Sequence, residues 1–185
     1  MDKSKIEILI KDLLAALGEN PNRRELIKTP ARVAAIFERI FSGMKKNADL
    51  ILQTTHELKH DEMVILKDIH FYSMCEHHFM PFFGKCHIGY IPKNNSIVGI
   101  GRLAELIDVM SKKLQVQESL TTEIADAIMK NLKPKGVGVI IEARHLCLEM
   151  MSQSVPGSSI VTSAVRGLFR SDIKTREEFL KLIKN

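Results

Sequence analysis

Apolar residues in this chain change their period repeatedly, and the order of those changes constrains the fold more than any other feature. Ile6, Leu9, Ile10, Leu13, Leu14 and Leu17 make one helical stripe. Gly18 stops it, and Asn20-Pro21-Asn22 reads as a turn. Thr29-Pro30 reads as an N-cap with proline at the first helical position, opening a helix whose apolar face is Val33, Ile36, Phe37, Ile40 and Met44. The chain is expected to be helical to about residue 55.

From Met63 the pattern becomes strand-like. Met63–Leu66, Ile69–Tyr72 and Gly84–Ile91 read as strands. A turn is expected at Lys93–Ser96, with a brief return over Ser96–Gly99. Two helices follow, marked by Leu103, Leu106, Ile107, Met110 and Leu114, then by Leu120, Ile124, Ala127, Ile128 and Leu132. Gly136–Ala143 is the strongest strand signal and is expected to run on to Met150. A polar loop around Pro156-Gly157, a strand over Ile160–Phe169 and a helix opened by a capping box at Thr175-Arg176-Glu177-Glu178 complete the chain.

Helices, strands, two helices, strands, helix is an α+β order built on hairpins, not on alternating βαβ units. The expected division is a helical region over 1–60 and an α+β domain over 61–185. A small antiparallel sheet has open edges, so assembly with sister subunits is expected.

The totals exclude several classes. With 45% hydrophobic and 26% charged residues, the composition is that of a globular protein. No apolar run approaches the ~20 residues that span a bilayer. The N-terminal residues lack a signal-peptide core, so the expected location is the cytoplasm. A net charge of +5 suits an anionic small molecule, nucleic acid or simply a solvated surface. Basic residues are dispersed and aromatics are only 5%, so no base-stacking platform is visible and no nucleic-acid partner is expected. Three cysteines (Cys75, Cys86 and Cys147) argue against a disulfide framework.

Chemistry concentrates in two short segments. Ser73-Met74-Cys75-Glu76-His77-His78 sits at a strand end, and the C-x-x-H spacing aims a thiolate and an imidazole at one cation. His145-Leu146-Cys147 is the second segment; on a strand, His145 and Cys147 face the same side. Together the segments can supply three protein ligands and keep a fourth position open, which is the catalytic zinc arrangement. A structural zinc and a Cys/His nucleophilic pair are the competing readings. Cys86 and His87 point to opposite faces of a strand and are left out of the site. His56, His60 and His70 have no clustered partner. Gln117 and Glu118, between the central helices, are solvated residues, a helix-start cap, or a carboxylate group suited to the N–H edge of a guanine.

Cys75-Glu76-His77-His78, Gly84-Lys85, Tyr90-Ile91-Pro92, Leu114-Gln115-Val116-Gln117-Glu118, Gly136–Val139, His145-Leu146-Cys147 and Thr175–Leu180 follow the order and spacing of a known family. The chain resembles GTP cyclohydrolase I over nearly its whole length. The resemblance implies a tunnelling fold (T-fold): antiparallel sheet, two central helices and an N-terminal helical extension. It implies a homo-oligomer, two stacked rings forming a decamer, with sites at subunit interfaces. It assigns zinc to Cys75, His78 and Cys147, catalytic roles to His77 and His145, and guanine anchoring to Gln117 and Glu118. Arg102 is its candidate phosphate contact. The implied reaction is hydrolytic opening of the imidazole ring of GTP with loss of formate. The product is 7,8-dihydroneopterin triphosphate, the first pterin of folate synthesis.

Four positions depart from the family pattern. Its usual Gly-Leu-Ser-Lys is here Gly99-Ile100-Gly101-Arg102, the Arg expected three residues further on is Glu105, and the Arg expected four residues after the zinc cysteine is Met151. The resemblance places these positions at the triphosphate. Arg144, Lys112 and Arg166 are candidate replacements. Two other readings stay open: a zinc hydrolase acting on another purine nucleotide or stopping at the ring-opened intermediate, and a non-catalytic zinc-binding homologue.

Overall fold

The computed structural model describes residues 1–52, 55–57, 59–94, 96–151 and 157–184. The described chain forms two compact units, Met1–Ser42 and Gly43–Asn185. The first is a helix pair, α1 (Lys3–Ala16) and α2 (Thr29–Ile40). Asp2 caps α1 by accepting from the Lys5 amide at 3.0 Å. Gly18, at φ +87°, takes the left-handed conformation that ends it. Thr29 is the first residue of α2 and not its cap; Lys28 precedes it without a side-chain cap bond, and Pro30 lies in the opening turn.

A 3-10 turn (Ser42–Lys45) spans the boundary, and α3 (Ala48–Ile51) lies in the second unit. Ile51 and Leu52 belong to its core. There follow β1 (Thr55–Glu57), β2 (Val64–Cys75), β3 (Pro81–Ile91), β4 (Ser96–Val98), α4 (Ile100–Ser111), β5 (Leu114–Gln115), α5 (Gln117–Leu132), β6 (Gly136–His145), α6 (Leu146–Met151), β7 (Ile160–Gly167), α7 (Leu168–Ser171) and α8 (Ile173–Lys184). The main sheet has the order β5-β2-β3-β6-β7, antiparallel except for the short parallel β2–β5 pair. This is the α+β arrangement expected, a T-fold with α4 and α5 as its two central helices.

Alternation in the strands explains the core. Phe71, Phe82, Cys86, Ile88, Tyr90, Val137, Val139, Ile141 and Ala143 point to one side, where α4 lies on β2 and α5 on β6 and β7. Leu103, Leu106, Ile107, Leu120, Ile124 and Ile128 close this core from the helices. On the other face, α7 and α8 cover one end. There Gly89 and Gly138 stand opposite each other in the register. A Cβ on either would come within 2.7 Å of Phe179 or Phe169. The two glycines form the notch that seats this edge-to-face aromatic pair from α7 and α8.

Several local expectations need correction. The brief strand Ser96–Val98 pairs with β1 in a separate two-stranded sheet. Residue 95 of the expected turn and residues 154–156 of the expected polar loop lie outside the described residues. The last strand ends at Gly167, at φ +57°, and α7 begins there. Thr175 does not cap α8. The helix starts at Ile173, and the Asp172 carboxylate accepts from the Thr175 hydroxyl at 2.6 Å and its amide at 2.9 Å. Those bonds hold Asp172 below the usual carboxylate range.

Candidate metal centre

The β2–β3 hairpin builds one half of the site. Met74 pairs with Pro81, and the Cys75 amide donates to the Met80 carbonyl at 2.8 Å. The Phe79 amide donates back to the Cys75 carbonyl at 2.9 Å. Closing so tight a turn puts Phe79 at φ +54°, a conformation costly for an aromatic residue and tolerated where the surroundings enforce it. The Glu76 amide donates to the Gln115 carbonyl of β5, so the parallel β2–β5 contact fixes the base of the turn.

The other half is the junction of β6 and α6. The strand does not continue to Met150: it ends at His145, and Cys147 lies in the first turn of a helix. Composition explains the break. Gly136–Ala143 is rich in β-branched Val and Ile, whereas Leu146–Met151 contains only Leu, Cys, Glu and Met. His145 and Cys147 are therefore not same-face neighbours on a strand.

The two halves nevertheless converge. The ligand atoms of Cys75, His78 and Cys147 all lie within 4.8 Å of one another. Cys75 Sγ is 3.9 Å from His78 Nδ1. A tetrahedral zinc with Zn–S near 2.3 Å and Zn–N near 2.0 Å separates its ligand atoms by about 3.5–3.8 Å, so the donor set and spacing fit that ion. Both cysteines are buried, and His78 is exposed. Burial and the adjacent Cys75 push the Cys147 thiol up, an energetic cost that a bound cation reverses by favouring the thiolate.

His145, the last residue of β6 and two residues before Cys147, is half-buried. Its ring stacks on Phe82 with centroids 4.7 Å apart and planes 6° from parallel. Its Nε2 lies 2.7 Å from Gln117 Oε1. Burial holds it below the usual imidazole range, opposed by the negative charge of Glu118. Glu118 is exposed in the first turn of α5. Gln117, paired with Glu118 in the sequence reading as a guanine anchor, is only 1% exposed, and its side chain is engaged inside the protein. His77 is exposed at the turn, 3.9 Å from Glu76.

The remaining candidates lie apart from the cysteines. Cys86 is in the core, where burial pushes its thiol far up. His87 is buried and accepts from the Asp68 amide at 3.2 Å, at the irregularity in β2. Arg102 is exposed and pairs with Glu105 at 2.8 Å, one helical turn away. The candidate replacement cations are paired too: Arg144 with Glu149, Lys112 with Asp108 and Arg166 with Asp126. Met151 is exposed at the end of α6, and a Cβ on Gly101 would meet nothing within 4 Å. Phe82, Thr121 and Thr162, which surround His145 and Gln117, carried no sequence signal, because an apolar residue and two threonines at ordinary periodic positions look like packing.

The family model of GTP cyclohydrolase I matches residues 6–184. Curated proteins named GTP cyclohydrolase 1 align over all 185 residues, covering 98% of their own lengths. That of Listeria monocytogenes is 47% identical, of Listeria welshimeri 48%, and of Caldanaerobacter subterraneus 46%. The solved apo structure of the archaeosine synthase QueF-Like aligns with a TM-score of 0.46 at 18% identity, over 57% of this chain and 93% of that one. No described helix is long and apolar enough to cross a membrane. A match running the length of the chain, with relatives that share nearly half its residues end to end, makes this chain a member of the GTP cyclohydrolase I family.

Proposed function

We propose that this protein is a zinc-dependent enzyme that opens the imidazole ring of GTP by hydrolysis, releases formate and yields 7,8-dihydroneopterin triphosphate. The observation that carries the reading is the meeting of Cys75, His78 and Cys147 from two distant segments. Cys75, His78 and Cys147 would hold the metal, which supplies Lewis-acid activation of water toward a pKa near 7. His145, its plane set by Phe82, transfers a proton at the purine ring. His77, exposed on the same turn as two of the ligands, is the second proton-transfer group. Glu118, exposed in the first turn of α5, accepts from the N–H edge of guanine. Arg102 contacts phosphate once it leaves Glu105.

The working form is a homodecamer in the cytoplasm. Among the described residues the sheet ends in β7 on one side, and on the other β5 covers only Met74 and Cys75 of β2. Such unpaired edges suit pairing between subunits.

One observation favours a second reading. Arg102 is neutralised by Glu105, and Met151 offers no charge. A site so depleted suits a purine compound with fewer phosphates, or a reaction that stops after ring opening. Zinc-loaded protein incubated with GTP, GDP, GMP and guanosine, with formate and pterin fluorescence followed separately, decides between them. Formate and fluorescence from GTP are expected. Formate without fluorescence, or preference for GMP or guanosine, favours the second reading. Neither signal from any purine overturns both and leaves a non-catalytic homologue.

A further inference from the structure

Behind His145 lies a circuit of buried hydrogen bonds whose direction follows from which groups can donate. One end of the Gln117 amide is 3.1 Å from the Ile141 carbonyl, 2.9 Å from the Ile160 carbonyl and 3.1 Å from Thr162 Oγ1. Backbone carbonyls only accept, so this end must be the NH2 group. Turning the amide over would set its oxygen against two carbonyl oxygens, acceptor against acceptor. The threonines complete the circuit. The Thr121 hydroxyl donates to the main-chain carbonyl of Gln117 at 2.7 Å. Thr162 Oγ1, 2.6 Å from Thr121 Oγ1, therefore donates to it and accepts from the Gln117 amide.

With the NH2 end fixed, Gln117 Oε1 faces His145 Nε2 at 2.7 Å. An amide oxygen only accepts, so this bond requires a hydrogen on Nε2. Phe82 sets the plane of the imidazole, and Gln117 sets its rotation within that plane.

We infer that Gln117 is a positioning residue that holds neutral His145 as its Nε2–H tautomer and leaves Nδ1 as the nitrogen that exchanges a proton with the substrate. The inference rests on the reading of His145 as a proton-transfer group in purine ring opening. It moves Gln117 from the guanine to the rear of the histidine, in keeping with its burial.

The test has two independent readouts on the full-length, zinc-loaded protein. The first is long-range 1H–15N NMR of the His145 ring at about pH 8, above the ordinary imidazole pKa of ~6.5. Wild-type protein is expected to show a protonated Nε2 and an unprotonated Nδ1. An Nδ1–H spectrum overturns the inference, whatever the activity. The second is the kinetics of Gln117→Met with GTP. The expected result is a loss of about 10–100-fold in kcat, with KM held within about threefold, and a His145 spectrum that loses its single tautomer. A raised KM with kcat unchanged overturns the inference and returns Gln117 to the guanine. Should Gln117→Met fail to fold, the wild-type spectrum still decides. An Nε2–H spectrum in a protein that opens no GTP overturns the functional reading alone.

Discussion

The two sides of the metal centre are built differently. Toward the core, Cys75, Cys147, Phe82 and Gln117 are buried, and the polar groups behind His145 are matched donor to acceptor. Toward solvent, Glu76, His77, His78 and Glu118 are exposed, and Arg102 makes an exposed ion pair. The inner side is fixed by folding, because a buried polar group left unpaired costs about 1–3 kcal/mol. The outer side carries no such penalty, since exposed pairs are worth about 0–1 kcal/mol and exchange readily with water or a ligand. The placement of the two cysteines and of His145 thus belongs to the fold, while the proposed substrate contacts lie on the exposed side.

Substitutions on the two sides should part company, and the largest effect is expected at the ligands. Cys147→Ser should abolish stoichiometric zinc, read by elemental analysis. It should lower GTP ring opening by more than the roughly 10–100-fold that changes behind metal ligands cost. Retention of zinc would break the assignment. His77→Ala on the outer side should cost activity alone: about 10²–10⁴-fold in kcat, with stability within about 0.5 kcal/mol by urea denaturation. A large loss of stability would show that the outer side is structural after all.

Phe82→Ala should do the reverse. It removes a fully buried ring from the core and from the face of His145, at an expected cost of about 3–5 kcal/mol in unfolding free energy. The smallest effect is expected at Glu105→Ala. Releasing Arg102 from an exposed pair worth about 0.2–1 kcal/mol should lower the KM for GTP a few-fold and leave stability unchanged. A KM that does not move would separate Arg102 from the phosphates.

Much of the fold was legible because its periods are clean. The stripe of Leu103, Leu106, Ile107 and Met110 marked α4, and the Val/Ile run after Gly136 marked the start of β6, though not its end at His145. The errors have local causes. Strand and helix are both open to an apolar run such as Leu146–Met151 until the absence of β-branched residues is weighed. Asp172 outcompeted Thr175 as a cap because a carboxylate placed three residues earlier reaches the Thr175 amide first. Cys75, His78 and Cys147 were legible as candidate ligands because they fall in two short Cys/His clusters. The roles of Thr121 and Thr162 were not, since nothing in their spacing announces a contact across about 40 residues of chain.

The sequence alone determined the residues able to bind a soft metal and the order of helices and strands, since both follow from residue type and short-range period. Only the tertiary structure decided that Cys75 and Cys147 come together and that Gln117 faces His145 and not the solvent. Those outcomes depend on the register of β2, β3 and β6 and on the seating of α5 against β6 and β7. Pairings of that kind join residues far apart in the chain, and a local pattern carries no record of them.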